Sequence, residues 1–249
     1  MDFIGKHILV VGGSSGIGKE TALNLAKLGA TISIIGKNPT RVNKTLSVLN
    51  EININIKHTG HIFDLVKIEA ISTLVNELGN YDGLVYSAGI QKISPLQFIN
   101  NQDFAEVQYV NAFAAIYLIR DLIKCKKLNK EASIVLVSSV SGAKIGSKGL
   151  ISYATSKSAL VGMSKSLALE LARQKIRVNC VLPGMINDTL LNNMSNFSEE
   201  QLLEDKKNYP LGDYGTCEDV SNAICFLLSN LSKYITGAEL VIDGGLTLN

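Results

Sequence analysis

The chain has 249 residues, 46% of them hydrophobic, and a formal net charge of +2. That balance provides no concentrated basic surface of the kind a nucleic acid or an anionic membrane requires, so a small molecule is the expected ligand. The four cysteines, Cys125, Cys180, Cys217 and Cys225, form no CxxC pair, which favours reduced thiols over a disulfide framework or zinc site. The start, MDFIGKHILVVGG, lacks a signal-peptide pattern and no run approaches membrane-spanning length, so a cytoplasmic protein is expected.

In chain order, β-branched runs alternate with stretches of helical period. HILVV is followed by a helix-like segment from Gly16 to Leu28, then TISII, a weaker NINIK, a helical segment from Ile68 to Leu78, and DGLVYS. Then come SIVLVSS, a long helix-like stretch SYATSKSALVGMSKSLALELA, RVNCVL and finally ELVID. Most of these runs are apolar on both faces, as in parallel strands covered by helices on each side. The expected fold is α/β, a doubly wound parallel sheet in one domain spanning residues 1–249. Between Met185 and Thr216 the pattern is irregular, with apolar Leu190, Leu191, Met194 and Phe197 ahead of the charged EEQLLEDKK. This segment reads as a lid over a pocket or as a peripheral helical excursion.

Three glycines, Gly12, Gly16 and Gly18, separate the first strand from its helix in GGSSGIG. A pyrophosphate binds where unpaired N–H groups point out of a helix start, and glycines let the backbone approach it. Gly12 ends the strand, Gly16 opens the approach, Gly18 allows close helix packing, and Ser14 and Ser15 add hydroxyls. A tight turn without a ligand would also use glycine. After the second strand stand Gly36, Lys37 and Asn38, where an NAD site carries an acid for the ribose 2′-hydroxyl. A small residue and a cation there favour NADPH over NADH, the alternative being an ordinary solvated lysine.

Further on, Tyr153 and Lys157 lie one helical turn apart, at i and i+4. A cation near a phenol favours the phenolate and suits it to acid–base work. Ser138 and Ser139 end the preceding strand, where ligands of open α/β sheets bind, although serines also simply end strands. His58 and His61, in HTGH, find no third partner at metal-ligand spacing, so no metal is expected and a polar end to the third strand is the reading.

The ordered set resembles the short-chain dehydrogenase/reductase family, over almost the whole chain. Its TGxxxGxG stands as VGGSSGIG, its adenine-contacting aspartate as Asp64 in FDL, and its NNAG as YSAG, Tyr86 to Gly89. The helix asparagine is Asn111, the active-site serine is Ser139 ahead of Gly142, and YxxxK is Tyr153 and Lys157. RVNCVLPG and YITGAELVIDGG complete the match. The resemblance implies seven strands in the order 3-2-1-4-5-6-7 and a catalytic tetrad of Asn111, Ser139, Tyr153 and Lys157. Tyr153 would protonate the carbonyl oxygen, Ser139 hydrogen-bond it, Lys157 hold the nicotinamide ribose, and Asn111 position a water. It further implies cofactor contacts at Gly12, Ser14, Ser15, Gly16, Ile17, Gly18, Lys37, Asn38, Asp64, Leu65, Ser87, Ala88 and Gly89. Tyr153, Lys157, Pro183, Gly184, Ile186 and Thr189 extend that set.

Val11 and Ser87 depart from the family pattern, and Asp188 stands where a cofactor-contacting threonine is usual, so Thr189 is expected to substitute. YPLGDYGTCEDV is a near-match to a pattern of 3-oxoacyl-acyl-carrier-protein reductases, with Asp213 and Cys217 replacing arginine and proline. This points to reduction of a 3-oxoacyl thioester, with an acyl carrier protein as partner. Lys124, Lys126, Lys127 and Lys130 would serve such an acidic partner, or would merely complement a helix C-terminus. Reduction of a free sugar, polyol or small ketone is the alternative, and a non-catalytic nucleotide-binding sensor a further one. The resemblance also implies a homotetramer that pairs two long helices, here about Asp103 to Lys126 and Ser152 to Arg173; the small residues Ala112, Ala114, Ala115, Ala159 and Gly162 would permit close packing there, or would pack within one chain.

Overall fold

The computed structural model describes residues 1–187 and 198–248. Its strands are β1 (His7–Val11), β2 (Thr31–Gly36), β3 (Thr59–Ile62), β4 (Tyr81–Tyr86), β5 (Leu128–Val137), β6 (Arg177–Pro183) and β7 (Glu239–Ile242). They form one sheet in the order β3-β2-β1-β4-β5-β6-β7, parallel at each junction, as the resemblance implied.

The apolar runs are continuous because each sheet face carries its own core. Leu9, Val11, Ile35, Leu84, Ile134 and Leu136 pack with helices α3 (Ile71–Glu77), α5 (Ala114–Lys124) and α7 (Ile151–Glu170). Their strand neighbours Ile8, Val10, Ile32, Ile34, Val85 and Val135 face α1 (Gly16–Lys27), α2 (Pro39–Ile52) and a late helix at Cys217–Leu228. Alternate residues point to opposite faces, so a strand covered on both sides must be apolar throughout. Chain order reverses between β1 and β4, which opens a crevice beyond the carboxyl ends of those two strands.

The third strand corrects the sequence reading. NINIK is not a strand: α2 runs through Ile52, its Val42 and Leu49 buried at helical spacing, and Ile54 is exposed at the turn that follows. The strand that pairs with β2 is TGHI, Ser33 standing opposite Thr59 and Gly36 opposite Ile62. His58 therefore precedes this strand and does not end it. It is buried, and its Nδ1 accepts from Ile32 N at 3.0 Å.

The expected helix from Asp103 to Lys126 is also divided. Helix α4 (Asn101–Gln108) passes into a π turn, Tyr109–Phe113, before α5 begins. Lys124, Lys126, Lys127 and Lys130 lie where α5 ends and β5 begins, and Lys127 Nζ donates to Leu78 O at 2.5 Å. Within one chain this is the opposite end of the sheet from the crevice, so the cluster is not next to the site there.

The irregular segment is pinned at both ends. Ile186 forms an isolated parallel bridge with Gly215, and Asn187 N donates to Gly215 O at 2.8 Å. Helix α8 (Glu199–Lys206) follows a capping box at Ser198. Tyr214 OH donates to Asp205 Oδ2 at 2.8 Å, and Lys206 pairs with Asp213 at 2.8 Å. Asp213, standing where the reductase pattern has arginine, thus serves the inside of this segment. Asp188, Thr189, Leu190, Leu191, Met194 and Phe197 lie outside the described residues.

Candidate active site

The glycine loop is built by close approach. Gly12, at φ +81°, lies against the backbone of Ser87 and Ala88, where a Cβ would come within 2.6 Å of Ala88 N. A Cβ on Gly18 would overlap the carbonyl oxygen of Gly12. Helix α1 therefore starts directly against the strand end, and Ser87 N donates to Val11 O at 2.9 Å to close the other wall. Gly16 adopts φ +51°, Ser15 is the N-cap with no side-chain capping bond, and the first turn of α1 carries no acid. These donors face outward at the positive end of a helix, free of a competing carboxylate, and a dinucleotide pyrophosphate fits that cradle.

Beyond the end of β2, Gly36 leaves room for Ser14, whose Oγ would lie 2.7 Å from a Cβ there. Asn38 caps α2, its Oδ1 accepting from Arg41 N at 2.9 Å. Lys37 Nζ is 2.8 Å from Asp64 Oδ2, and this pairing raises the lysine pKa. Asp64 Oδ1 accepts from Val66 N at 3.3 Å, and Leu65 is buried beside it.

Beyond the ends of β4, β5 and β6, the remaining residues are tied together through α7. Ser138 Oγ donates to Lys157 O at 2.7 Å, and Lys157 Nζ donates to Val137 O at 2.8 Å. Lys157 is buried, its nitrogen 5.6 Å from the centroid of the Tyr153 ring, and burial pushes its pKa down to about 8. Gly89 leaves the space this lysine uses, since a Cβ there would stand 3.2 Å from Nζ. Ser139 is the N-cap of a short turn, α6 (Val140–Ala143), its Oγ accepting from Ser141 N at 3.1 Å. That turn abuts α7 at Gly142: with φ +87°, a Cβ would come within 2.5 Å of Ala154 O, one residue past Tyr153.

Asn111 sits in the π turn, fully buried. Its Nδ2 donates to Ile90 O and to Ser156 Oγ, each at 2.9 Å, while its Oδ1 accepts from Ile90 N at 2.8 Å. Ser156 Oγ in turn donates to Tyr153 O at 2.7 Å. Both amide hydrogens are thus committed to protein. This geometry straps the segment after β4 to the tyrosine helix. The sequence reading missed Ser156, the space that Gly89 leaves for Lys157 and the tight fit at Gly142, since these act through contacts between distant segments. Pro183 ends β6 and Gly184 follows it, Gly184 N donating to Ile242 O at 2.9 Å, and Ile186 is buried just beyond.

Comparison with known proteins agrees with this layout. A family model described as enoyl-(acyl carrier protein) reductase matches residues 11–247. The 3-oxoacyl-(acyl-carrier-protein) reductase of Rickettsia bellii is 36% identical over 248 residues, covering 100% of this chain and 99% of that one. A Bos taurus reductase of the same name is 36% identical over 247 residues, with 98% of each chain covered. Among solved structures, a short-chain type dehydrogenase/reductase from Mycobacterium ulcerans superposes with a TM-score of 0.90 at 27% identity, covering 100% of this chain and 92% of that one. A short-chain dehydrogenase/reductase from Serratia marcescens gives 0.89 at 27% identity, covering 99% and 100%. The chain belongs to the short-chain dehydrogenase/reductase family and is an oxidoreductase acting between CH–OH and carbonyl groups with NAD(P).

Proposed function

We propose that this protein reduces the 3-oxo group of an acyl thioester, presented by an acyl carrier protein, with NADPH, as a cytoplasmic homotetramer of single-domain chains. The observation that carries the reading is the assembly of Ser138, Ser139 and Gly142 against the helix bearing Tyr153 and Lys157. Full-length relatives that carry the name of a 3-oxoacyl carrier-protein reductase support it.

When bound, the nicotinamide supplies hydride to the carbonyl carbon. Tyr153 gives its phenolic proton to the carbonyl oxygen as charge develops there. Ser139 holds the same oxygen: its Oγ accepts from Ser141 N, so its own hydrogen remains to donate. Lys157 keeps a positive charge beside the phenol and spends one N–H on Val137 O, leaving two for the nicotinamide ribose hydroxyls. With a pKa of about 8 it also exchanges protons readily near neutral pH. Asn111 holds Ile90 and Ser156 in register with Tyr153 and would position a water linking Lys157 to solvent.

Gly12, Ser14, Ser15, Gly16, Ile17 and Gly18 would hold the pyrophosphate. Lys37 and Asn38 would meet the 2′-phosphate, Asp64 and Leu65 the adenine, and Ser87, Ala88 and Gly89 the nicotinamide-side ribose. Pro183, Gly184, Ile186 and Thr189 would line the carboxamide, and the segment over residues 185–216 would cover the substrate.

The test is a comparison of acetoacetyl thioesters with sugars, polyols and free ketones, followed by NADPH oxidation. The thioester is expected to give the highest kcat/KM. Turnover of a free sugar or ketone with none of the thioester would contradict the proposal, and a higher kcat/KM with NADH would contradict its cofactor.

A further inference from the structure

The ion pair at the adenosine end joins two residues that cofactor binding would use separately. Lys37 stands one residue past β2 and Asp64 two residues past β3, and Phe63 N donating to Gly36 O at 3.0 Å brings the two strand ends together. Both carboxylate oxygens of Asp64 are engaged, Oδ2 by Lys37 Nζ at 2.8 Å and Oδ1 by Val66 N at 3.3 Å. The lysine side chain is 70% exposed and that of Asp64 28%, so the cation is the partner free to swing away.

We propose that Asp64 sets how strongly a 2′-phosphate is preferred at this site, because it holds Lys37 in an ion pair that the phosphate must displace. This rests on the reading of Lys37 as the 2′-phosphate partner. A phosphate that takes Lys37 leaves Asp64 without its counter-ion and close to a second anion, so the carboxylate acts against the phosphate twice. A nucleotide lacking the 2′-phosphate leaves the pair intact. Any contact of Asp64 with adenine is common to both nucleotides and cancels in the ratio of their affinities.

The experiment is calorimetric titration of the protein with 2′,5′-ADP and with 5′-AMP, which reads binding without turnover. Asp64→Asn keeps the side-chain shape and the acceptor for Val66 N while removing the charge; Lys37→Met removes the cation. At low ionic strength Asp64→Asn is expected to raise the affinity ratio of 2′,5′-ADP to 5′-AMP about threefold or more, the size of one partly exposed charge pair. Lys37→Met is expected to lower the ratio toward one, and Asp64→Asn to have a smaller effect in that background, as coupled residues do. A parent that prefers 2′,5′-ADP, with an unchanged ratio in Asp64→Asn, would overturn this inference and leave the NADPH reading standing. A parent that binds 5′-AMP as well as 2′,5′-ADP, with the ratio still near one in Asp64→Asn, would overturn both.

Discussion

Lys157 is where chemistry and stability oppose each other. Burial lowers its pKa from 10.5 to about 8 in the folded chain, and unfolding restores the ordinary value. Between about pH 8 and 10.5 the unfolded chain therefore holds a proton that the folded chain has lost, and stability rises with pH across that window. At pH 7 both states are protonated and the cost of burying the charge is fully present. Lys157→Met is predicted to stabilise the ligand-free protein by about 1–3 kcal/mol at neutral pH, even after Val137 O loses its donor, while abolishing turnover. Urea denaturation at a series of pH values checks this: the variant's margin should shrink toward pH 10.5, and a pH-independent margin would contradict it. The Tyr153–Lys157 pair was legible in the sequence, because i and i+4 share a helix face whatever surrounds them. Ser156 was not legible and Asn111 only in part: Asn111 was found through its family motif, but its strap depends on Ile90, which is 21 residues away in sequence.

At the scale of elements, the strand-to-helix junctions carry the site, and their tolerances are set by backbone contacts. A methyl group on Gly18 would meet the Gly12 carbonyl and stand 3.2 Å from Ser87 Cβ, against backbone with no rotamer to change. Gly18→Ala is predicted to cost about 1–3 kcal/mol and to weaken NADPH binding about tenfold or more, as α1 moves off β1. Thermal unfolding and a fluorescence titration measure the two effects; unaltered binding would show that the close approach is not needed. This glycine was legible because the turn that it serves is local. The third strand was not. NINIK has the period of a strand, but α2 keeps its buried stripe through Ile52 and the sheet pairs with TGHI, a segment carrying glycine and histidine. Edge strands need less apolar sequence, since only one neighbour and a partial cover hold them. The π turn was equally hidden, since YVNAF has nothing that distinguishes it from ordinary helix.

For the whole molecule, the doubly wound parallel class was legible because apolar runs alternate with helices along the chain, whereas the order of the strands came from the family resemblance. The place of the lysine cluster was not legible, because the lysines near residue 127 are neighbours in sequence yet lie where β5 begins, away from the crevice in the same chain. Phe113, Ile116 and Ile151 are exposed on helices flanking the tyrosine site, at 42%, 43% and 38%. Association through these helices would cover them, and light scattering is predicted to give four times the 26.8 kDa chain mass, with a monomer contradicting it. The account as a whole turns on Tyr153 as the proton donor. The most direct measurement is NADPH oxidation and NADPH binding by Tyr153→Phe beside the parent protein. A fall in kcat of about a hundredfold to ten-thousandfold with cofactor affinity unchanged is the predicted result, and undiminished turnover would contradict it.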